Sequence, residues 1–451
     1  MSIAFSLLIA LLAATPAAPF ISYIFIQHTL YLLAPITLAS VATEASPADI
    51  TAAATLRRFA WAVLFPILWM ILQIVPLPFA SLTSPIWPTA AVALNDPFLA
   101  SRISIDPGST LRSLTWYLTV LSLIISTFLI ARDRKRAEIL LLTVTGAATF
   151  LALESLAGHQ IGFLATAVPD IGRSNSHSFA VAAVIAALGN SAMIAMAMER
   201  YSNRAGAVLP LSTPLLLRIA LGITGIVVSL ASFAAFGKGM LFGLTGLGFA
   251  TMLFVATARR LGFRPWPSAI LAAVLIAMAA VATLSLAQST PFVDLLDFVR
   301  YDDQASLAVA RRAMSDSSWT GSGVGTFAQV LRIYQDYGAD SALASPSTAV
   351  LVAIEWGRVA VPILAGFTLQ LFLFALRGAV GRGRDSFFAS ATAAIVVVAL
   401  CESFVDVSML NPTAQIMLAA VIGLGLAQST GRTSSISGHL NPTAYDRRPK
   451  L

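Results

Sequence analysis

The sequence predicts an all-α, polytopic integral membrane protein with about 12 transmembrane helices. Hydrophobic residues fill 57% of the 451 positions and charged residues only 11%, whereas soluble domains carry about 25% charged residues. The mean hydropathy is +0.83. Apolar runs long enough to cross a bilayer recur from one end of the chain to the other, so a membrane is the solvent that this composition fits.

The apolar runs predict one membrane domain over residues 1–429. They lie near residues 3–18, 20–42, 56–76, 112–131, 138–158, 176–198, 214–236, 239–258, 267–287, 347–376, 386–404 and 411–429. The first run lacks the basic start of a signal peptide and a second apolar run follows it, so we expect it to be a span. The polar tail 430–451 is predicted to be disordered and cytoplasmic.

Basic residues predict the sidedness of the spans. Most of the 28 Lys and Arg residues follow alternate spans, as Arg57, Arg134 and Arg200 do, and basic residues favour cytoplasmic loops. Both termini are therefore expected inside, which puts residues 77–111 and 288–346 outside. The first segment is rich in proline and predicts an irregular flap. The second is the one long polar loop, where we expect function.

Composition excludes several kinds of site. A single cysteine, Cys401, excludes a disulfide framework, a cysteine zinc site and a thiol pair. Four histidines without a ligand-spaced run of His, Asp or Glu predict no metal site, and we expect no cofactor. The sequence has no glycine-rich loop of the nucleotide-hydrolase type. The net charge of +7 is spread between apolar segments, so no nucleic acid partner is expected.

The long outer loop holds the most distinctive pattern. A short amphipathic helix is predicted from Ser306 to Met314, and the run Trp319 to Phe327 then reads W-x-G-x-G-x-G-x-F. Glycines at alternate positions let the backbone approach another surface closely, and N–H groups in such a turn can receive an anion. These glycines are Gly321, Gly323 and Gly325. Aromatic residues follow in a second helix, and Glu355-Trp356-Gly357 lies in the next span.

In this order the motifs resemble those of the O-antigen ligase and polymerase superfamily, bacterial enzymes of the inner membrane. Upstream segments are similar to other motifs of that family, although each motif is short. They are Pro76-Leu77-Pro78, Ile103-Ser104-Ile105-Asp106-Pro107 with Thr110, Asn175-Ser176-His177-Ser178-Phe179-Ala180, and Asp406 followed by Pro412. The resemblance implies a metal-independent glycosyltransferase that uses polyprenyl-pyrophosphate-linked glycans on the periplasmic face.

Two departures from the family pattern bear on the type of enzyme. Gly237-Lys238-Gly239 stands where the family has serine-arginine-glycine, so a positive charge remains without the guanidinium fork. Ser345-Pro346-Ser347 stands where ligases of the family have alanine-histidine-asparagine. The resemblance therefore favours a polymerase of exopolysaccharide or O-antigen. A ligase that transfers the glycan to a lipid or another acceptor is the second reading.

The resemblance also implies roles for cations and aromatic residues. The candidates for binding pyrophosphate or glycan are Lys238, Arg311, Arg312, Arg332, Tyr334 and Tyr337. Each cation also has a structural explanation. Lys238 could extend its side chain to the membrane interface, and Arg332 could pair with Asp336. Arg311 and Arg312 are adjacent on a helix, so at most one of them is expected to face a site. Phe327 is expected to be buried.

Two residues are candidates for proton transfer. Glu355 could accept the acceptor hydroxyl's proton or orient a loop arginine, and its structural alternative is a buried salt bridge with Arg358 on the same helix. His177 could replace the missing histidine, although a hydrogen-bonded loop histidine is the more common case.

Two functions of other classes are alternatives. The protein could be a secondary transporter or a non-catalytic component of a polysaccharide export complex. About twelve spans are common among transporters, but the two halves of this sequence show no paired repeat. The expected partners are the lipid-linked glycan, the lipid bilayer, and flippase, chain-length or export proteins.

Overall fold

Helices form most of the residues described by a computed structural model, which covers residues 2–20, 23–43, 50–79, 81–96, 98–161, 178–204, 213–235, 239–262, 304–334, 347–381 and 385–430. No strand occurs within these ranges. The helices are α1 (Ile3–Ala14), α2 (Tyr23–Thr43), α3 (Ile50–Arg58), α4 (Ala60–Ile74), α5 (Ile86–Leu94), α6 (Pro107–Ile130), α7 (Arg134–Ile161), α8 (Ser178–Arg204), α9 (Thr213–Ala235), α10 (Gly239–Arg260), α11 (Gln304–Asp316), α12 (Phe327–Tyr334), α13 (Thr348–Glu355), α14 (Ala360–Gly381), α15 (Ser386–Glu402) and α16 (Pro412–Ser429). Short 3-10 turns follow α1 and precede α16.

Eight of the described helices are long and apolar enough to cross a membrane. They belong to α2, α6, α7, α8, α9, α10, α14 and α16, and three shorter apolar helices accompany them: α1 with its 3-10 extension, α4 and α15. The all-helical, multi-pass membrane fold is thus confirmed. The count of 12 spans stays a prediction, since the expected span 267–287 lies outside the described residues, as does most of the tail.

Small residues let the central helices α8, α15 and α16 pack closely with their neighbours. A side chain on Gly423 of α16 would meet the Ile124 carbonyl of α6 at 2.6 Å, and one on Gly248 of α10 would meet Leu188 of α8 at 2.7 Å. Without a hydrophobic force between helices in lipid, such close backbone approach and interhelical hydrogen bonds supply the packing energy. Most residues of α15 are consequently buried.

Ion pairs gather at one end of the bundle. Arg134 at the start of α7 lies 2.8 Å from the Asp385 carboxylate and 3.3 Å from that of Glu138, which also pairs with Arg200. The Asp385 N–H donates to Glu199 at 3.0 Å. These residues close the turns that the charge distribution predicts to be cytoplasmic. The outer-loop helices α11, α12 and α13 lie at the other end, beside the start of α6.

The expected continuous span 347–376 is wrong. Helix α13 ends at Glu355 and α14 begins at Ala360, with a break at Trp356–Val359. Gly357 in this break has φ +91°, and the Trp319 carbonyl occupies the place where its side chain would be. The outer loop therefore packs against the break. A continuous helix would leave no room for it there.

The expected irregular flap at 77–111 is only partly irregular. It contains the nine-residue helix α5, and α6 already begins at Pro107 because Asp106 caps it, accepting the Ser109 N–H at 3.1 Å. An aspartate followed by proline at the first helical position is a favourable helix start.

The contact between α16 and α6 gives a test of the packing. We expect Gly423→Ala to lower the stability of the purified protein by about 1–3 kcal/mol, because the added methyl group has no space against Ile124. Gly366→Ala in α14 is the matched control, as no atom lies within 4 Å of the added methyl group. Thermal unfolding in detergent measures both, and equal midpoints for the two variants would contradict this packing.

Candidate functional site

A cavity of about 650 Å³ lies at the outer-loop end of the bundle, between α2, α4, α6, α13, α14 and α16. Its volume is within the usual range for small-molecule sites. The polar and aromatic residues that line it are Gln27, Tyr31, Ser109, Arg112, Ser113, Trp116, Tyr117, Glu355, Trp356 and Gln415. Among these residues, Arg112 is the cation and Glu355 is the carboxylic acid.

Glu355 ends the eight-residue helix α13, which lies outside the membrane-spanning helices. Its side chain is only 4% exposed, and the carboxylate accepts the Phe327 N–H of α12 at 2.8 Å. Burial raises the pKa of Glu355 from 4.5 to about 7, although the backbone N–H groups of Gly325, Phe327 and Thr326 oppose the rise. A buried acid that titrates near neutral pH beside a cavity has the properties of a proton acceptor.

Arg112 lies near the start of α6 and is held by a chain of hydrogen bonds. Its guanidinium donates to the Ser109 hydroxyl at 3.1 Å, and that hydroxyl donates to Asp106 at 2.7 Å. The Ser109 hydrogen bond is the main reason that the pKa of Asp106 is lowered. Gln329 of α12 donates to the same Asp106 carboxylate at 3.3 Å. The cation is thereby fixed to the cap of α6 and to the outer loop.

The glycines of the outer loop bring its backbone against two other segments. Gly321, Gly323 and Gly325 have φ values of +80°, +108° and +84°, a region that residues with a side chain rarely adopt. A side chain on Gly321 would overlap the Glu355 carbonyl, and one on Gly323 would overlap the Ser104 hydroxyl. The Ile105 N–H donates to the Ser322 carbonyl at 2.9 Å. The glycines thus shape the loop, and Gly325 itself lines the cavity.

Gln73, near the end of α4, connects these parts. Its side chain is fully buried and donates to the carbonyls of Thr320 and Glu355, each at 3.1 Å. Its amide oxygen accepts the Val324 N–H at 3.2 Å. One side chain therefore joins α4, the glycine-rich loop and the end of α13.

The cationic loop candidates stand apart from this cavity. Arg311 and Arg312 are exposed on α11 and Arg332 is exposed on α12, and none of them lines it. Tyr334, at the end of α12, is partly buried. Its burial is the main cause that raises the pKa of its hydroxyl, and the nearby Asp316 carboxylate raises it further. The remaining candidates Lys238, His177 and Tyr337 lie outside the described residues, as does Asp336.

Phe327 is buried, as expected, with 8% of its surface exposed. The expected pairing of Glu355 with Arg358 is wrong, because the two residues lie on opposite sides of the helix break and have different partners. Arg358 donates to the carbonyls of Met314 and Ser315, so it anchors the end of α11 to the start of α14.

Sequence reasoning missed Gln73 and Arg112 as members of the site. A single amide within the apolar run of α4 was the available signal for Gln73, since polar groups inside membrane helices need partners. Arg112 is the first residue of the predicted span 112–131, where a basic residue is common at the membrane boundary. Its position two residues after the S-x-D-P-x-x-T segment was the available signal.

The aromatic residues Tyr31 and Trp116 were missed as well. Their rings meet edge to face at the cavity, with centroids 6.1 Å apart, and the Trp116 indole N–H donates to Gln415 of α16. Nothing in the sequence relates α2 to α6, so this pair required the fold.

Comparison with known proteins leaves the site to be interpreted from its own chemistry. No protein-family model matches the chain. No curated protein matches it either.

The pKa of Glu355 predicts how stability changes with pH. Because the folded state binds this proton more tightly than the unfolded chain, the wild type should lose stability relative to Glu355→Gln as pH rises from about 4.5 to about 7. The loss should reach up to about 3 kcal/mol, since each pKa unit corresponds to about 1.4 kcal/mol.

Unfolding of both proteins in detergent at pH 5 and pH 8 measures this difference. Asp316→Asn, which alters an exposed carboxylate at the end of α11, is the control and should follow the wild type. A constant gap between the wild type and Glu355→Gln at both pH values would show that the Glu355 carboxyl does not titrate in this range.

Proposed function

We propose that this protein is a bacterial inner-membrane polysaccharide polymerase, which lengthens an exopolysaccharide or O-antigen from polyprenyl-pyrophosphate-linked repeats at the periplasmic face. The observation that carries the proposal is that Arg112 and Glu355 line the same cavity of a membrane-embedded helical bundle. Transfer of a glycan from a lipid pyrophosphate needs both a fixed cation and a proton acceptor.

Arg112 is proposed to bind the pyrophosphate of the donor. A guanidinium can hold two phosphate oxygens at once, and the hydrogen bond to Ser109 keeps this one in place before the substrate arrives. As the bond between the anomeric carbon and the pyrophosphate oxygen breaks, negative charge grows on the leaving group. A cation already in position stabilises that charge without reorganisation.

Glu355 is proposed to accept the proton of the attacking hydroxyl. The acceptor oxygen bonds to the anomeric carbon while its proton passes to the Glu355 carboxylate, and the lipid pyrophosphate leaves. With a pKa of about 7, a large fraction of the carboxyl is ionised at neutral pH yet still basic enough to take the proton. The backbone N–H groups at the start of α12 hold it in orientation.

Tyr31 and Trp116 are proposed to contact the sugars. Aromatic faces pack on the apolar faces of sugar rings, and the hydrogen bond to Gln415 sets the orientation of the Trp116 ring. The other candidates keep the roles that the resemblance implies. They are Lys238, Arg311, Arg312, Arg332, Tyr334 and Tyr337 as proposed contacts for pyrophosphate or the growing chain, and His177 as a proposed group for proton transfer.

Arg112 provides the most direct test. Purified protein in liposomes, given lipid-linked repeats, should build a ladder of longer lipid-linked chains, and Arg112→Gln should slow this roughly 100-fold. Arg260→Gln removes the same charge from an exposed site at the end of α10, the ion-paired end of the bundle, and should leave the rate unchanged. Electrophoresis of the lipid-linked products measures the ladder.

Other outcomes of the same assay would overturn parts of the proposal. Transfer of the glycan to a different lipid would make the protein a ligase. A wild-type ladder from Arg112→Gln would move the pyrophosphate site elsewhere, and Lys238→Ala with Arg311→Ala and Arg312→Ala would then identify it. Uptake of a small solute by the same liposomes, without any glycan product, would favour a transporter.

A further inference from the structure

The segment 76–101, between α4 and α6, is unusually apolar for a stretch outside the spans. Asp96 is its single charged residue. Large apolar side chains in it are exposed, and the two most exposed are Val92 at 83% and Phe98 at 92%. The others are Phe79, Leu82, Ile86 and Leu94. An exposed apolar surface of this extent marks contact with a partner or a membrane.

Helix α5 within this segment has no protein core to stabilise it. None of its nine residues is buried. Isolated helices shorter than about 12–15 residues are marginal in water, so most short helices depend on packing of an apolar face. The environment that stabilises α5 must therefore lie outside the described chain and must be apolar.

Hydrogen bonds hold the segment beside the ends of α4 and α6. The Leu77 N–H donates to the Ser101 carbonyl at 3.0 Å and the Ser84 N–H to the Arg102 carbonyl at 2.8 Å, which closes the segment on itself. The Trp87 indole donates to the Ser104 carbonyl at 3.1 Å. The closed segment thus stays beside the end of α4 and the first turn of the membrane-spanning helix α6.

We infer that the described residues of this segment, 76–79, 81–96 and 98–101, lie in the lipid headgroup and acyl boundary at the cavity end of the protein, with Val92, Leu94 and Phe98 inserted among the lipids. The segment joins the apolar helix α4 to α6, which is long and apolar enough to cross the bilayer, so lipid is the apolar phase within its reach. A protein partner would be expected to meet a polar and charged rim, whereas this segment has one charge.

Trp87 supports the same placement. The Arg102 guanidinium lies over its ring, 6.0 Å from the centroid. Tryptophan beside arginine is typical of the interfacial level of membrane proteins, where an apolar ring and a charged group meet lipid and water. This inference concerns the placement of the protein in the membrane and does not depend on the proposed enzyme activity.

Single cysteines test the inference in the full-length protein. In a Cys401→Ala background, Val92→Cys and Phe98→Cys are compared with Ser315→Cys, an exposed site on α11 at the same end of the bundle. The purified proteins are placed in liposomes of phosphatidylcholine and phosphatidylglycerol. A charged, membrane-impermeant maleimide should label the two segment sites at least about tenfold more slowly than Ser315→Cys, since an apolar environment disfavours the reactive thiolate.

Equal labelling of all three variants in dodecyl sulfate confirms that each cysteine is reactive once unfolded. Because the sites lie at one end, mixed orientation in the liposomes affects them equally. A fluorophore attached at Phe98→Cys should also be quenched by spin-labelled lipid. Labelling as fast as at Ser315→Cys would overturn the inference, and so would protection seen only in native membranes, which would identify a protein partner.

Discussion

A helix that stops inside a membrane protein leaves backbone carbonyls that must find donors, and the rest of this site depends on how that requirement is met. Away from water, each unpaired buried carbonyl would cost on the order of a few kcal/mol. At the end of α13, the Ser322 N–H donates to the Ile354 carbonyl, Gly323 and Gln73 donate to that of Glu355, and the Trp69 indole donates to that of Trp356. Two separate parts of the chain, α4 and the outer loop, thus close one helix end.

The same arrangement sets the chemistry of Glu355. Its carbonyl is committed to the closure of α13, while its carboxylate meets the first N–H groups of α12. Burial favours the neutral acid, and those N–H groups favour the charged one. Because the opposing N–H groups belong to Gly325, Thr326 and Phe327, at the end of the glycine-rich loop, the conformation of that loop and the protonation of the acid are linked. Arg112 is held through the cap of α6, to which Gln329 of α12 also bonds, and it lines the same cavity.

Hydropathy was sufficient to predict the multi-pass helical fold, because a bilayer imposes length and composition on every span. It could not predict the break after Glu355. Glu355 and Arg358 are spaced as neighbours on a helix face, and only partners far along the chain, Gln73 and Trp319, show that the helix ends between them. The glycine motif indicated a close approach, but not that Ser104 lies opposite Gly323. The distribution of basic residues along the sequence predicts which loops face the cytoplasm, but it does not show that Arg112 faces a cavity.

The glycine-rich loop is bound to its surroundings largely through main-chain atoms. Gln73 bonds to the carbonyl of Thr320 and the N–H of Val324, and α13 receives the N–H groups of Ser322 and Gly323. Main-chain groups are the same in nearly every residue, so substitutions between the glycines preserve these bonds. The side chains that face the cavity come mainly from other helices. The residues that line the cavity and the sequence of the loop can therefore change separately while the scaffold persists, so chains of quite different sequence could share this architecture.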